Sequence, residues 1–344
     1  MKWYSLRVDR IVTETAESVS VYFALPAQDT DAFVHRAGQY VTIEAPIEKK
    51  PIRRAYSICT APHEDRFGIT VKRVEGGKLS TYLVRRLRTG DILQVSPPEG
   101  RFVLNPTSSR IRLFGAGSGI TPLYAMLKSY LHQVPEGQVV LHYGNRDATS
   151  VIYAEQLAEL GQRYSFKRLQ LHLVYSRSGP SDCASGRIDT HYLKRFGPQL
   201  RETTSDEEFY LCGPNEMIDT VRQYLQNMGV NESRIHHEKF VLDAPSEVPL
   251  TTALTATVVV LDDETHELFV PRDRTVLRAL LDRGHDAPYS CGIGSCSTCI
   301  GRVVEGTVHM PVCESLDADE LADGYILTCQ AYPTSATLRV SFDD

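Results

Sequence analysis

Three rhythms of apolar and polar residues divide the chain. Over residues 1–105, short runs such as SVSVYFAL, GQYVTIEA and FGITVKRV alternate apolar with polar positions and are broken by Gly and Pro. A period of two gives each strand one core face and one solvated face, so an antiparallel β-barrel is predicted. From 106 to 240 the runs become nearly continuous in apolar residues (IRLFGAG, VVLHYGN, LQLHLVYS, EFYLCG) and are separated by helical stretches. Strands of that kind alternating with helices predict an α/β domain with a parallel sheet. After the first of them, Leu123, Met126, Leu127, Tyr130 and Leu131 recur at helical spacing. From 253 to 344 a hairpin pattern, TATVVVLDDETHELFV, precedes a short helix, TVLRALLDRG, that ends in Gly284.

Length supports the division, because 344 residues exceed what one core usually holds. A hydrophobic content of 42% with 23% charged residues places the chain among soluble globular proteins able to build real cores. The N-terminal MKWYSLRVDR lacks the apolar centre of a secretory signal, and no apolar run approaches the roughly 18 residues of a membrane span. A cytoplasmic location is therefore expected. There, the eight cysteines are thiols or metal ligands rather than disulfides.

The net charge of −6 gives no reason to expect nucleic acid or an anionic membrane as partner. Its distribution is uneven: +4 over residues 1–105, +1 over 106–240 and −11 over 241–344. The acidic last third begins at VLDAPSEVPLTT, residues 241–252, which reads as a linker spanning roughly 20 Å as a flexible coil. The expected organisation is thus 1–105, 106–240, a linker over 241–252, and 253–344.

The chemistry concentrates in a few short stretches. Cys291, Cys296 and Cys299, in CGIGSCSTCIG, with Cys329 further on, have the C-x4-C-x2-C…C spacing of plant-type [2Fe-2S] clusters. One tight loop can offer three thiolates around two irons while the fourth arrives from another segment. Gly292 and Gly294 permit the positive φ that aims backbone N–H groups at cluster sulfurs, and Ser295 and Ser297 keep the loop small. Zinc and disulfides are the alternatives, but structural zinc more often takes two short cysteine pairs and the chain has one. Cys313 is outside the spacing and reads as an ordinary thiol.

GAGSGITP, Gly115–Pro122, lies between a predicted strand and helix, with Pro122 expected at the first helical position. Such a turn lets a pyrophosphate approach backbone N–H groups at the positive end of a helix. It is not G-x-G-x-x-G, so the Rossmann fingerprint does not apply. YLCGPNEM puts Cys212, Gly213 and Pro214 at the end of the last such strand, where ligands of these sheets bind. In RAYS, Arg54–Ser57, a cation, an aromatic ring and a hydroxyl share one strand. GGKLSTYLVRRLRTG follows, with Ser80 expected to cap a helix over 81–89 whose N-terminus makes a second phosphate site.

The ordered set of RAYS, GGKLS, GAGSGITP, CGPNEM and the cysteine loop resembles the ferredoxin-NADP reductase superfamily. The arrangement is flavin domain, pyridine-nucleotide domain and C-terminal plant-type ferredoxin. Among such proteins it is most similar to the reductase components of phenylacetyl-CoA epoxidase and related bacterial oxygenases. The resemblance covers essentially the whole chain and implies an antiparallel barrel, an α/β nucleotide domain and an α+β β-grasp ferredoxin domain. It also implies FAD rather than FMN, a [2Fe-2S] cluster held by Cys291, Cys296, Cys299 and Cys329, and a terminal oxygenase or other one-electron acceptor protein as partner.

Residue roles follow by position from the same resemblance. Arg54, Ala55, Tyr56 and Ser57 line the flavin: Arg54 contacts its phosphate, Tyr56 packs on the isoalloxazine and Ser57 hydrogen-bonds near N5. Val71, Lys72 and Arg73 flank the flavin, and Gly77, Lys78, Leu79 and Ser80 hold its pyrophosphate. Gly115, Gly117, Ser118, Gly119 and Thr121 bind the nucleotide, Cys212, Gly213 and Pro214 sit beside the nicotinamide, and Phe240 lies near the flavin ring. Ser57 and Cys212 are the residues placed at the reacting atoms. Ser176 and Arg177, in LVYSRSG, match the place where the family binds the 2'-phosphate of NADPH, with NADH the alternative donor; Arg146 and Arg187 add charge.

The expected chemistry needs no paired carboxylates or Ser-His-Asp set, because a nicotinamide gives two electrons as hydride, a cluster takes one, and a flavin mediates. Two other readings stay open at the level of sequence. One is a general NAD(P)H-ferredoxin reductase serving a desaturase, haem oxygenase or demethylase. The other is a non-catalytic adapter whose cysteines hold zinc. The −11 charge of the last third, against +4 in the first, suggests steering of docking within the chain or toward a basic oxygenase surface, with solubility as the alternative role.

Overall fold

The structure is a computed structural model that describes residues 2–47, 50–180, 183–200, 206–240, 253–289, 292, 294, 296–313 and 315–343. Two compact bodies lie within Lys2–Phe240 and Val241–Asp344. The predicted linker, 241–252, lies outside the described residues.

The first body opens with β1 (Tyr4–Thr15), β2 (Ser18–Ala24), β3 (Tyr40–Ile47), β4 (Lys50–Ser57), β5 (Phe67–Lys72), α1 (Lys78–Arg85) and β6 (Ile92–Val95). Their antiparallel order is β4-β3-β6-β1-β2-β5. A bridge between Ile58 and Ile69 joins the two outer strands and closes the sheet into the expected barrel. Its interior holds Leu6, Val8, Val21, Val41, Ile43, Ile69 and Val95, all fully buried, which is the inward half of each alternating run.

The parallel sheet follows with β7 (Arg110–Ala116), α2 (Ile120–Gln133), β8 (Gln138–Asp147), α3 (Ala154–Arg163), β9 (Leu169–Ser178), β10 (Ala184–Ser185), α4 (Thr190–Leu200), β11 (Glu208–Gly213), α5 (Asn215–Asn227) and β12 (Ile235–Lys239). The order β10-β9-β8-β7-β11-β12 reverses direction between β7 and β11. One core, with Leu123, Leu127 and Tyr130 of α2, covers one face of the sheet; another, with Ile218, Val221 and Leu225 of α5, covers the other. That explains why these strands read as continuous apolar runs.

The second body contains β13 (Leu254–Leu261), β14 (Glu264–Pro271), α6 (Val276–Asp282), β15 (Ile300–Glu305), β16 (Val308–His309), α7 (Ala318–Ala322), β17 (Tyr325–Leu327), β18 (Tyr332–Pro333) and β19 (Thr337–Ser341). Five strands form a mixed sheet, β14-β13-β19-β15-β17, with β13 and β19 parallel. The β13–β14 turn places Asp262 and Asp263 at φ 53° and 61°, and both amides donate to the Asp343 carboxylate at 3.0 and 2.9 Å. Helix α6 is capped by Thr275, whose hydroxyl accepts from Arg278 N, and ends at Gly284 with φ 84°.

Two local expectations are corrected. The helix after GGKLS runs over Lys78–Arg85 rather than 81–89, with Gly77 as N-cap, so Ser80 lies in the first turn and caps nothing at the helix start. Ser80 Oγ instead accepts from Val74 N at 3.1 Å and closes the loop that leads in. Pro122 stands third in α2, which begins at Ile120; its missing N–H costs nothing in a first turn.

Candidate active site

The barrel seam and the reversal point of the parallel sheet belong to the same compact body. At the seam, the antiparallel bridge Ile58–Ile69 brings Tyr56 and Ser57 of β4 alongside Thr70 and Val71 of β5. Ser57 is buried, Tyr56 half-buried with its phenol pushed up by burial, and Arg54 exposed, where its guanidinium donates to its neighbour's carbonyl, Arg53 O. Ala55 pairs with Thr42 of β3. Val71 and Leu79 point into the barrel core, so only their backbone atoms face outward. The start of α1 carries no side-chain cap at Gly77, which leaves the amides of its first turn directed at whatever lies beyond the helix end.

Lys72 and Arg73 behave differently from each other. Arg73 is held by the Glu17 carboxylate, which also takes Arg85 at 2.6 Å and is kept below its ordinary range by Arg73. The Lys72 ammonium reaches the parallel-sheet half instead: a methyl group on Gly117 would lie 3.1 Å from it. Burial and Arg146 lower its pKa. A barrel cation thus hangs over the glycine turn at β7.

That turn is built from backbone. Gly117 has φ 55°, and a methyl group on Gly119 would meet Cys212 O at 2.1 Å and Gly213 N at 2.8 Å, so turn and strand end touch main chain to main chain. Gly115 is β7's partner for Cys212. Ser118 is half-buried, whereas Thr121 is buried with no hydrogen-bond partner for its hydroxyl among the described residues. Cys212 is fully buried and its thiol is raised by burial; Gly213 and Pro214 follow it into α5.

Sequence reading missed Glu238, which stands beside Cys212 across β11 and β12. One of its carboxyl oxygens is shielded without a hydrogen-bond partner among the described residues, and burial pushes its pKa up to about 8. Phe240 packs partly buried on the core that α2 shares with the parallel sheet. Ser176 and Arg177 are exposed at the C-terminal end of β9, as is Arg146 at that of β8; Arg187 is exposed and lies 3.7 Å from Glu216.

In the second body, Cys296, Cys299 and Cys329 are all buried, the last two within the core of the mixed sheet. Gly292, Gly294 and Ser297 adopt φ of 69°, 84° and 55°. Ser315 ties the loop down, donating to Gly294 O at 2.8 Å and accepting from Ser297 Oγ at 3.0 Å through its carbonyl. Thr328, next to Cys329, donates through N and Oγ1 to Cys299 O, joining the two cysteine segments. Cys291 lies outside the described residues. Two buried soft sulfur donors on a loop of left-handed turns, with a third on the segment that Thr328 ties to it, fit an iron-sulfur cluster.

The comparisons with known proteins agree with this geometry. Residues 5–104 match the family described as oxidoreductase FAD-binding domain, 113–223 the oxidoreductase NAD-binding domain and 259–334 the 2Fe-2S iron-sulfur cluster binding domain. The ferredoxin reductase component of 3-ketosteroid-9-alpha-monooxygenase from Rhodococcus rhodochrous is 37% identical, over 98% of this chain and 96% of that protein. The chain belongs to the three-domain oxygenase reductases. A component of the 1,2-phenylacetyl-CoA epoxidase of Escherichia coli is 35% identical to this reductase, over 99% of the chain and 98% of its own length. Phthalate dioxygenase reductase shares the fold, with a TM-score of 0.66 at 22% identity over 99% of this chain and 98% of that one. The reductase is an oxidoreductase with FAD-, NAD- and [2Fe-2S]-binding domains, and no helix among the described residues is long and apolar enough to cross a membrane.

Proposed function

We propose that this reductase takes a hydride from NADPH at the β7–β11 reversal point onto FAD at the barrel seam and delivers single electrons through its cluster to a terminal oxygenase. The observation that carries the reading is the meeting of the two half-sites: Lys72, from the flavin strand, stands over Gly117, in the nucleotide turn. The boundary at 240–252 is supported by separate cores on either side, and that at 105 by the change from an antiparallel to a parallel sheet. A cytoplasmic location fits cysteines kept as thiols and cluster ligands.

Flavin supplies the exchange between two-electron and one-electron chemistry. The protein's own residues bind and orient. The first-turn amides of α1, over Lys78–Ser80, and the exposed Arg54 suit the flavin phosphates, and Tyr56 offers a ring edge with Ser57 as its hydroxyl neighbour. Ala55 and Val71 contribute backbone. Gly115–Thr121 cradle the nucleotide phosphates, with Lys72 closing the cradle from the barrel side. Cys212 and Glu238 present a thiol and a carboxyl, both kept neutral by burial, to the nicotinamide end. Gly213 and Pro214 keep the strand end narrow, and Phe240 shields it from water.

Ser176, Arg177 and Arg146 crowd the ends of neighbouring strands β8 and β9, which suits the 2'-phosphate of NADPH. Cys291 completes the ligand set with Cys296, Cys299 and Cys329. The relatives' names place them in monooxygenase and epoxidase systems, so the acceptor here is a terminal oxygenase. Anaerobic titration of the purified protein with NADPH, followed by visible spectra, should bleach flavin and iron-sulfur bands together. Bleaching by NADH alone would overturn the assignment of Ser176 and Arg177, and a colourless protein would overturn the whole reading.

A further inference from the structure

Between the two half-sites stands a tyrosine that no motif covers. Tyr153 precedes α3 and is buried in the left-handed region, φ 61° and ψ 32°, a conformation rare for a bulky residue. Its ring stacks on Tyr124 of α2, centroids 4.2 Å apart, and its hydroxyl leaves the nucleotide half to reach Thr70 Oγ1 on β5 at 2.5 Å. Thr70 immediately precedes Val71 and Lys72.

The direction of this bond is fixed by where the chain of hydroxyls ends. Ser20 Oγ donates to the Glu14 carboxylate at 2.6 Å, so its one hydrogen is used. Thr70 must then donate to Ser20, at 2.7 Å, and Tyr153 must donate to Thr70. On the other side, Ile152 N donates to Tyr143 Oη at 3.3 Å, and Tyr143 Oη donates to Gly117 O at 3.1 Å. A continuous buried line therefore runs from the nucleotide turn, through residues 152 and 153, into the flavin strand. Buried and satisfied, such a line is stiff.

We propose that Tyr153 is a positioning residue for hydride transfer, holding the Gly117 turn and β5 at a fixed separation. The proposal rests on the reading of the two half-sites given above. In the transfer, the nicotinamide is oxidised and the flavin reduced by one hydride with its electron pair; Tyr153 neither gains nor loses a proton. Hydride transfer demands contact distance, and a misplacement of about 1 Å costs about a hundredfold in rate.

The test uses the complete protein carrying flavin and cluster. Tyr153→Phe keeps the ring and the stack and removes only the hydroxyl. Flavin reduction by saturating nicotinamide nucleotide, followed by rapid mixing, should slow about tenfold or more, with half-saturation changed by less than about threefold. Amide hydrogen exchange over Phe67–Lys72, measured without nucleotide, should quicken. Thr70→Val should reproduce both effects, and the double variant should be no slower than either single one. An unaltered reduction rate in Tyr153→Phe, or losses that add in the double variant, would overturn the role. So would loss of flavin from Tyr153→Phe with flavin retained by Thr70→Val, which would assign the hydroxyl to folding by a route other than Thr70. Failure of the functional reading looks different: the parent protein itself would not be reduced by either nicotinamide, and this role would fall with it.

Discussion

Two histidines show how far single residues can matter without entering the site. His142 is fully buried on β8, its Nδ1 2.7 Å from Tyr192 Oη and its ring stacked between Phe114 at 4.6 Å and His172 at 4.9 Å. Neither histidine's Nε2 has a partner among the described residues, and burial lowers both pKa values, with Arg112 adding to the effect. Both rings are therefore neutral in the folded chain, while in the unfolded chain they take up protons near 6.5. Stability is unaffected by them above that value and falls as pH drops below it, by up to about 1.4 kcal/mol per unit for each ring. Glu238, held protonated by burial, contributes the reverse slope, losing stability as pH rises from its ordinary 4.5 toward about 8. The histidine share is thus read as a signed difference: the change in urea midpoint on going from pH 7.5 to 5.5 should be more destabilising in the parent than in His142→Gln. An equal shift in both would show that His142 takes up its proton in the folded state. No periodic or spacing signal marks either histidine, because a strand buried on both faces has no side reserved for polar residues.

At the scale of elements, what places the site is the pair of strands on either side of the reversal point, β7 and β11, and they are pinned at the end away from it. Arg112 and Glu207 form a fully buried ion pair, 2.9 Å between Nε and Oε1, and burial raises the Glu207 carboxyl in spite of that partner. Removing one charge strands the other, so Arg112→Met should cost about 3–5 kcal/mol, whereas Arg112→Met with Glu207→Leu should recover much of the loss. Urea unfolding checks both, and equal losses in the single and double variants would contradict the account. The elements themselves were legible in the sequence for a physical reason. Alternation over GQYVTIEA and continuity over VVLHYGN report directly how many faces of a strand are buried, and the helical spacing from Leu123 to Leu131 reports one buried stripe. Helix starts were not legible to the same degree. The two that matter, at Gly77 and Gly119, have no capping side chain: the first leaves its turn's amides open and the second is entered from a 3-10 turn, so Ser80 drew the assignment three residues too late. Tyr153 and Glu238 were invisible for another reason: each acquires its partner, Thr70 or Cys212, from a segment far away in sequence.

For the molecule as a whole, the feature that no single contact expresses is charge. Residues 241–344 carry −11 and residues 1–105 carry +4. A field of that size reaches about one Debye length, roughly 8–10 Å at moderate ionic strength, which is enough to orient an approaching protein but not to hold it. Steering of that kind acts on the rate of encounter. Hydride transfer inside the first body depends on buried contacts such as Tyr153–Thr70, which salt screens little. The two steps should therefore separate on adding salt. Between about 50 and about 300 mM NaCl, the second-order rate of reducing a basic one-electron acceptor such as cytochrome c should fall several-fold, while the rate of flavin reduction by saturating nucleotide stays nearly constant. A small uncharged acceptor, a benzoquinone for instance, should show no such fall, because the acidic surface has nothing to attract. If the protein acceptor were also indifferent to salt, the acidity of the last third would serve solubility alone, and docking would have to be sought in apolar contacts around the cluster loop.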